Sequence, residues 1–108
     1  MSEITEVELV VARTLMEADH EIRRQVKCGG GRCDIFDDTT GEIIECKILG
    51  DVISINSALR QLDRYRHHFF DPQMAIAIPR ILPEAEWLIP SLRARNIRII
   101  EVEKGVCV

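Results

Sequence analysis

The stretch GGGRCDIFDDTTGEIIECKIL, residues 29 to 49, has the apolar spacing of a β-hairpin, yet it carries Asp34, Glu45 and Lys47 where a core strand would prefer none. Taking residues 38 to 41 as a four-residue loop, a common hairpin length, sets Asp37 opposite Glu42. Continued along the ladder, the same register predicts Asp34 opposite Glu45, Cys33 opposite Cys46 and Arg32 opposite Lys47. Side-chain alternation then puts Cys33, Ile35, Ile44, Cys46 and Ile48 on one face. Arg32, Asp34, Phe36, Ile43, Glu45 and Lys47 fall on the other.

Directly opposed residues of an antiparallel pair have Cβ atoms about 4.5–5.5 Å apart, and like charges so placed destabilise a sheet. A divalent cation would neutralise the pair. Mg²⁺ prefers hard oxygen ligands and uses only one or two carboxylates, keeping several waters. Lys47 shares the face of Glu45 and could hold a water or offset developing phosphate charge. The hairpin therefore reads as a cation and phosphate site. The competing reading is an exposed ladder of ion pairs, which would contribute only about 0–1 kcal/mol. The spacing D-x10-E-x-K does not by itself choose between them.

Working outward, Val7, Val10, Val11, Thr14 and Leu15 recur at helical spacing and predict an amphipathic helix from Glu3 to Glu17. EIRRQVKC, ahead of the glycine run, reads as a short strand. Ala58, Leu62, Tyr65 and Phe69 give one apolar stripe to a helix from Asp51 to Phe69, ended by Pro72. MAIAI before Pro79 has the length of a strand buried on both faces. Pro83 suits the first turn of a helix reaching about Ala94, which Pro90 should kink. NIRIIEVE closes the chain as an alternating strand. The predicted order α-β-β-β-α-β-α-β describes an α/β fold, a mixed β-sheet flanked by helices.

The 108 residues make one domain, able to bury roughly 65% of the unfolded surface. Apolar residues at 46% and charged residues at 30% exclude a disordered or membrane-spanning chain. No basic region precedes the apolar run of MSEITEVELVV, so a signal peptide is not expected and a cytoplasmic setting is. A net charge of −4 means that any polyanion would be held through local basic patches or bound cations. Cys28, Cys33, Cys46 and Cys107 lack paired C-x-x-C spacing and read as free, buried thiols rather than a zinc site.

GGGRCDIFDDTTGEIIECKI closely resembles the active-site hairpin of the PD-(D/E)XK nuclease superfamily, and ALRQLDRY resembles the Gln-x-x-x-Tyr helix of its RecB-like branch. The resemblance covers roughly residues 3 to 80. It implies a restriction-endonuclease-like fold and a Mg²⁺-dependent nuclease acting on DNA, with Mn²⁺ as a substitute. By that resemblance Asp34 and Glu45 bind the metal, the Cys46 carbonyl adds a ligand, and Lys47 positions the attacking water. Gln61 and Tyr65, four residues apart on one helix face, would orient Lys47 or contact the substrate backbone. EVELV is similar to the opening of archaeal Holliday-junction resolvases, which points to Glu6 as a further ligand, with Glu8 as its competitor. Cys33 stands where the superfamily's name puts Pro.

A domain this small presents little surface to a duplex, so a homodimer is expected, joined through the last strand or the Trp87 helix. The alternative is a non-catalytic nucleic-acid-binding or structural module on the same fold. His67 and His68, beside Arg60, Arg64 and Arg66, form either a basic helix end opposite the macrodipole's negative pole or a phosphate contact.

Overall fold

The structure is a computed structural model, and it describes residues 5–106. Its elements are α1 (Glu6–Glu17), β1 (Ile22–Cys28), β2 (Gly31–Asp37), β3 (Glu42–Cys46), α2 (Val52–Tyr65), β4 (Gln73–Ile78), α3 (Ile89–Ala94) and β5 (Ile97–Glu101). Short 3-10 turns cover Arg66–His68, Pro83–Leu88 and Val102–Lys104. The strands form one sheet in the order β1-β2-β3-β4-β5. β1, β2 and β3 pair antiparallel, and β3, β4 and β5 pair parallel. Connection length explains the change of sense: short loops join the first three strands, whereas parallel neighbours need a crossover, here supplied by α2 and then α3.

The β1–β2 loop is Gly29 and Gly30 alone, with Cys28 paired to Gly31. Their φ values of +57° and +84° belong to a type I′ turn, which glycine enters without steric cost. The β2–β3 loop is the expected four residues, with Asp37 opposite Glu42.

Two cores lie on the two faces of the sheet. α1 brings Val7, Val11, Ala12 and Leu15 against Ile35, Ile44, Cys46, Ala75, Ala77 and Ile100. On the other face α2 and the segment around α3 pack Ile55, Ala58, Leu62, Leu88 and Leu92 against Phe36, Ile43, Ile76 and Ile78. β4 shows why a continuous apolar run suits the centre of such a sheet. Its alanines face α1, its isoleucines face α2, and Ala75 through Ile78 are all buried. Complete burial of one such isoleucine is worth about 1.5–3 kcal/mol.

Several boundaries differ from the sequence expectation. α1 starts at Glu6, where Thr5 caps it by accepting the Glu8 N–H at 3.1 Å. The expected first residue, Glu3, lies outside the described residues, as does Cys107. Val10 is exposed, and Ala12 takes its place in the core. α2 ends at Tyr65, short of Phe69, because the Phe69 ring leaves the helix to stack on Phe36 at 4.1 Å and 5°. The expected single helix after Pro83 is split into a 3-10 segment and α3. Pro90 accounts for the break, since it has no N–H to donate to the carbonyl four residues earlier. β3 stops at Cys46 and β5 at Glu101, so Lys47 and Ile48 lie beyond the strand, and Ile48 is exposed rather than buried. Trp87 is exposed as well, and so is no core anchor. Cys28, Cys33 and Cys46 are free and buried.

Candidate metal centre

Asp34 and Glu45 are positioned by a local failure of strand geometry. β2 pairs regularly with β1 on both sides of Asp34, from Arg24 opposite Ile35 to Val26 opposite Cys33, but the intervening Gln25 and Asp34 are not a ladder pair. Gln25 has φ +52° in mid-strand, a conformation that costs a side-chain-bearing residue on the order of 1 kcal/mol. The faces exchange across this point. Arg24 and Ile35 turn toward α1, whereas Val26 and Cys33 turn toward α2. The expected common face for Cys33, Ile35 and Cys46 is therefore corrected: Cys33 joins the α2 core, Ile35 and Cys46 the α1 core.

The β2–β3 ladder runs from Asp37–Glu42 to Ile35–Ile44, in the expected register. Past it, side chains replace backbone carbonyls as acceptors. The Asp34 N–H donates to Glu45 Oε1 at 3.0 Å, and the Cys46 N–H donates to Asp34 Oδ2 at 2.7 Å. Each carboxylate thus satisfies an amide of the opposite strand. The expected pairing of Cys33 with Cys46 and Arg32 with Lys47 does not form.

Burial raises the pKa of both acids. Glu45 is pushed up to about 9, first by loss of solvent and then by the charge of Asp34. Asp34 is also raised by burial, offset in part by the Cys46 N–H and by the positive charge of Lys47. Lys47 is half-buried beyond the end of β3, and its charge favours the ionised form of Asp34 and of Glu45 alike. Other buried acids have their own partners. Asp37 bonds His20 Nδ1 at 2.6 Å and accepts the Thr39 N–H, and Glu42 holds the Arg98 guanidinium at 2.7 Å. Glu45 Oε2 is different, being buried with no hydrogen-bond partner among the described residues.

The helix carboxylate nearest this pair is Glu8, not Glu6. Glu6 is exposed, whereas Glu8 is 1% exposed and its pKa is raised by burial, with Asp34 adding to the effect. Arg24 donates twice to Glu8 Oε2, at 3.0 and 2.7 Å, and Gln25 Nε2 spans Glu8 Oε1 at 2.8 Å and Asp34 Oδ1 at 3.5 Å. The sequence holds a signal for this: Glu8 precedes Val11, Ala12 and Leu15 by three, four and seven residues, so it lies on the apolar stripe. Arg24 and Gln25, which complete the cluster, carry no such signal in their spacing.

α2 presents Gln61 and Tyr65 to the opposite side of the hairpin. Tyr65 is buried, its hydroxyl beside Gly31, and its pKa is raised by burial and then by Glu45, the Arg32 backbone acting the other way. Gln61 Oε1 is buried without a partner among the described residues. Neither side chain bonds Lys47 among those residues.

No three His, Cys, Asp or Glu side chains converge as a ready-made ligand set among the described residues. The chemistry present nonetheless fits Mg²⁺, which takes one or two carboxylates and completes its shell with water. The unpartnered buried oxygens of Glu45 and of Gln25, whose amide nitrogen reaches Asp34, are both acceptors, the groups that a cation and its waters would satisfy.

No family model matches the chain, and neither does any curated protein. Among solved structures, the crystal structure of a repair endonuclease from Pyrococcus abyssi matches with a TM-score of 0.61 and 15% identity, over 92% of this chain and 48% of that one. The chain thus spans about half the length of that endonuclease. No helix among the described residues is long and apolar enough to cross a membrane. The likeness is one of architecture: a mixed five-stranded sheet with helices on both faces, a restriction-endonuclease-like fold.

Proposed function

We propose that the chain is a Mg²⁺-dependent nuclease of the PD-(D/E)XK type that hydrolyses phosphodiester bonds in DNA. The observation that carries this reading is the buried pair Asp34 and Glu45, interlocked through each other's strands, with an unpartnered oxygen on Glu45 and the Lys47 charge acting on both. Asp34, Glu45 and the Cys46 carbonyl would hold Mg²⁺, or Mn²⁺ in its place, with Glu8 as the helix carboxylate. The bound cation supplies Lewis-acid polarisation of the phosphate and a lower pKa for water. Lys47 positions the attacking water and offsets charge developing on the phosphoryl oxygens. Water adds to phosphorus as the bond to the 3′ oxygen breaks, leaving a 3′-hydroxyl and a 5′-phosphate. Gln61 and Tyr65 line the hairpin side of α2 and would contact the substrate backbone. An intracellular setting with free thiols, and a homodimer using the β5 edge or exposed Trp87, belong to the same proposal.

The test is a panel of single-stranded, duplex, flapped and branched DNA, assayed with Mg²⁺ and with Mn²⁺. Cleavage of at least one member is expected; binding without cleavage would favour the non-catalytic module. Lys47→Ala should lower turnover by about 10²-fold or more while changing the Kd for Mn²⁺ by less than about threefold. Comparable losses in both would make Lys47 a structural residue.

A further inference from the structure

We infer that the Gly29–Gly30 turn and the cations around it form a phosphate-binding subsite for a nucleic-acid backbone, separate from the metal-binding carboxylates; naming the polymer rests on the nuclease reading. An open, shallow cleft of about 470 Å³ is lined there by Lys27, Cys28, the run Gly29 to Gly31, Arg32 and His68. Arg64 borders it, its side chain 3.4 Å from where a Cβ on Gly29 would stand.

Cations without a carboxylate partner gather at this turn. Arg23, Arg24, Arg95, Arg98 and Lys104 each face a carboxylate. Lys27, Arg32 and Arg64 are three of the nine Lys and Arg side chains with no ion-pair partner among the described residues, and these three meet around one turn. In a chain of net charge −4, one end of a hairpin therefore carries uncompensated positive charge. At the other end Arg23 is held by Asp38 at 2.9 Å.

The turn adds backbone donors. The N–H groups of Gly29 and Gly30 engage no backbone carbonyl among the described residues. A Cβ on Gly30 would meet nothing within 4 Å, so the turn is open to an approaching anion. Successive glycine amides beside Lys and Arg suit a phosphate, which accepts on several oxygens at once. Tyr65 connects the cleft to the metal centre: its hydroxyl lies against Gly31 and the Arg32 backbone, and the charge of Glu45 acts on the same phenol. A strand bound at the carboxylates would thus have a second phosphate contact along the β1–β2 turn.

The experiment measures binding of a fluorescent single-stranded oligonucleotide in EDTA across a salt series, so that it reads independently of cleavage. Lys27→Ala/Arg32→Ala, at two exposed positions, should raise Kd about tenfold at low salt. It should also reduce the slope of log K against log salt by about 1.4, since each phosphate that goes unneutralised accounts for about 0.7. Lys27→Glu, a single change at an exposed position, should reproduce the weakened binding and serves if the double variant folds poorly. A Kd within twofold of the parent at unchanged slope overturns the proposal. Inorganic phosphate that displaces the oligonucleotide from the parent better than chloride at equal ionic strength, but not from the double variant, supports an oxyanion site in this cleft. Displacement by phosphate that is the same in parent and double variant overturns it. If this binding persists while no DNA in the panel is cut, the nuclease reading fails and the subsite stands; cleavage with unchanged binding in the variants gives the converse.

Discussion

Glu45→Gln should abolish phosphodiester cleavage, by ~10³-fold or more, while making the metal-free protein more stable above neutral pH. The substitution keeps the volume and an oxygen that can accept the Asp34 N–H, but removes the charge a cation would use. The stability effect follows from the raised pKa. Burial and Asp34 lift Glu45 from its ordinary 4.5 to about 9, so between those values the folded protein holds a proton that the unfolded chain releases. The parent's metal-free stability therefore falls as pH rises from about 4.5 to about 9. A glutamine in that position does not titrate. If the relief at pH 8 is about 1 kcal/mol, the variant's Tm lies about 4–8 °C above the parent's. In the parent, saturating Mg²⁺ should restore stability at high pH by favouring the ionised carboxylate; in the variant it should not. Parent-like turnover would remove Glu45 from the site. A parent-like decline of Tm with pH would show that another group titrates.

Gly50→Ala should cost about 3 kcal/mol or more and lower Tm by at least about 12 °C, the largest single loss expected outside the sheet core. Gly50 is buried in the connection between β3 and α2, and its carbonyl accepts the Leu82 N–H at 3.0 Å. A Cβ there would overlap the Arg80 carbonyl oxygen and stand 2.9 Å from Ile78 Cδ1. The nearest obstacle is backbone, so no rotamer change relieves it. The segment after Arg80 must move, or the turn that follows Lys47 must. Calorimetric melting of the variant measures this directly, and a Tm within about 3 °C of the parent would mean that the two loops separate readily. Because the clash lies three residues beyond Lys47, a folded Gly50→Ala protein should also lose activity.

Periodicity carries most of the architecture. The two-residue repeat of the central strands and the stripe Ala58, Leu62 and Tyr65 predict the element order, and a four-residue loop sets Asp37 against Glu42 as observed. The candidate site is legible only in part, because its geometry depends on departures from regular pairing. An ideal ladder puts Asp34 and Glu45 side by side on an exposed face. The actual strands twist at Gln25, and nothing in the intrinsic preference of glutamine announces φ +52°. Contacts distant in sequence are equally hidden. Glu8 is buried and Glu6 exposed because the helix turns position 8 toward Arg24 and Gln25, and the Gly50 contact exists only once the chain returns through Arg80. Phe69 has the spacing of a helical residue, but its stacking on Phe36 depends on a strand far back in the chain.

The interlock between β2 and β3 also makes two backbone amides into spectroscopic reporters. The N–H protons of Asp34 and Cys46 point at the carboxylate oxygens that a cation would share, so coordination must change their shielding before it alters the fold. In a nitrogen–proton correlation spectrum titrated with Mg²⁺, these two resonances should move first and together. Trace Mn²⁺ should broaden them ahead of amides in α3, and the reverse order would put the cation elsewhere. Occupancy of the site could then be followed residue by residue, without a substrate and without a chromophore.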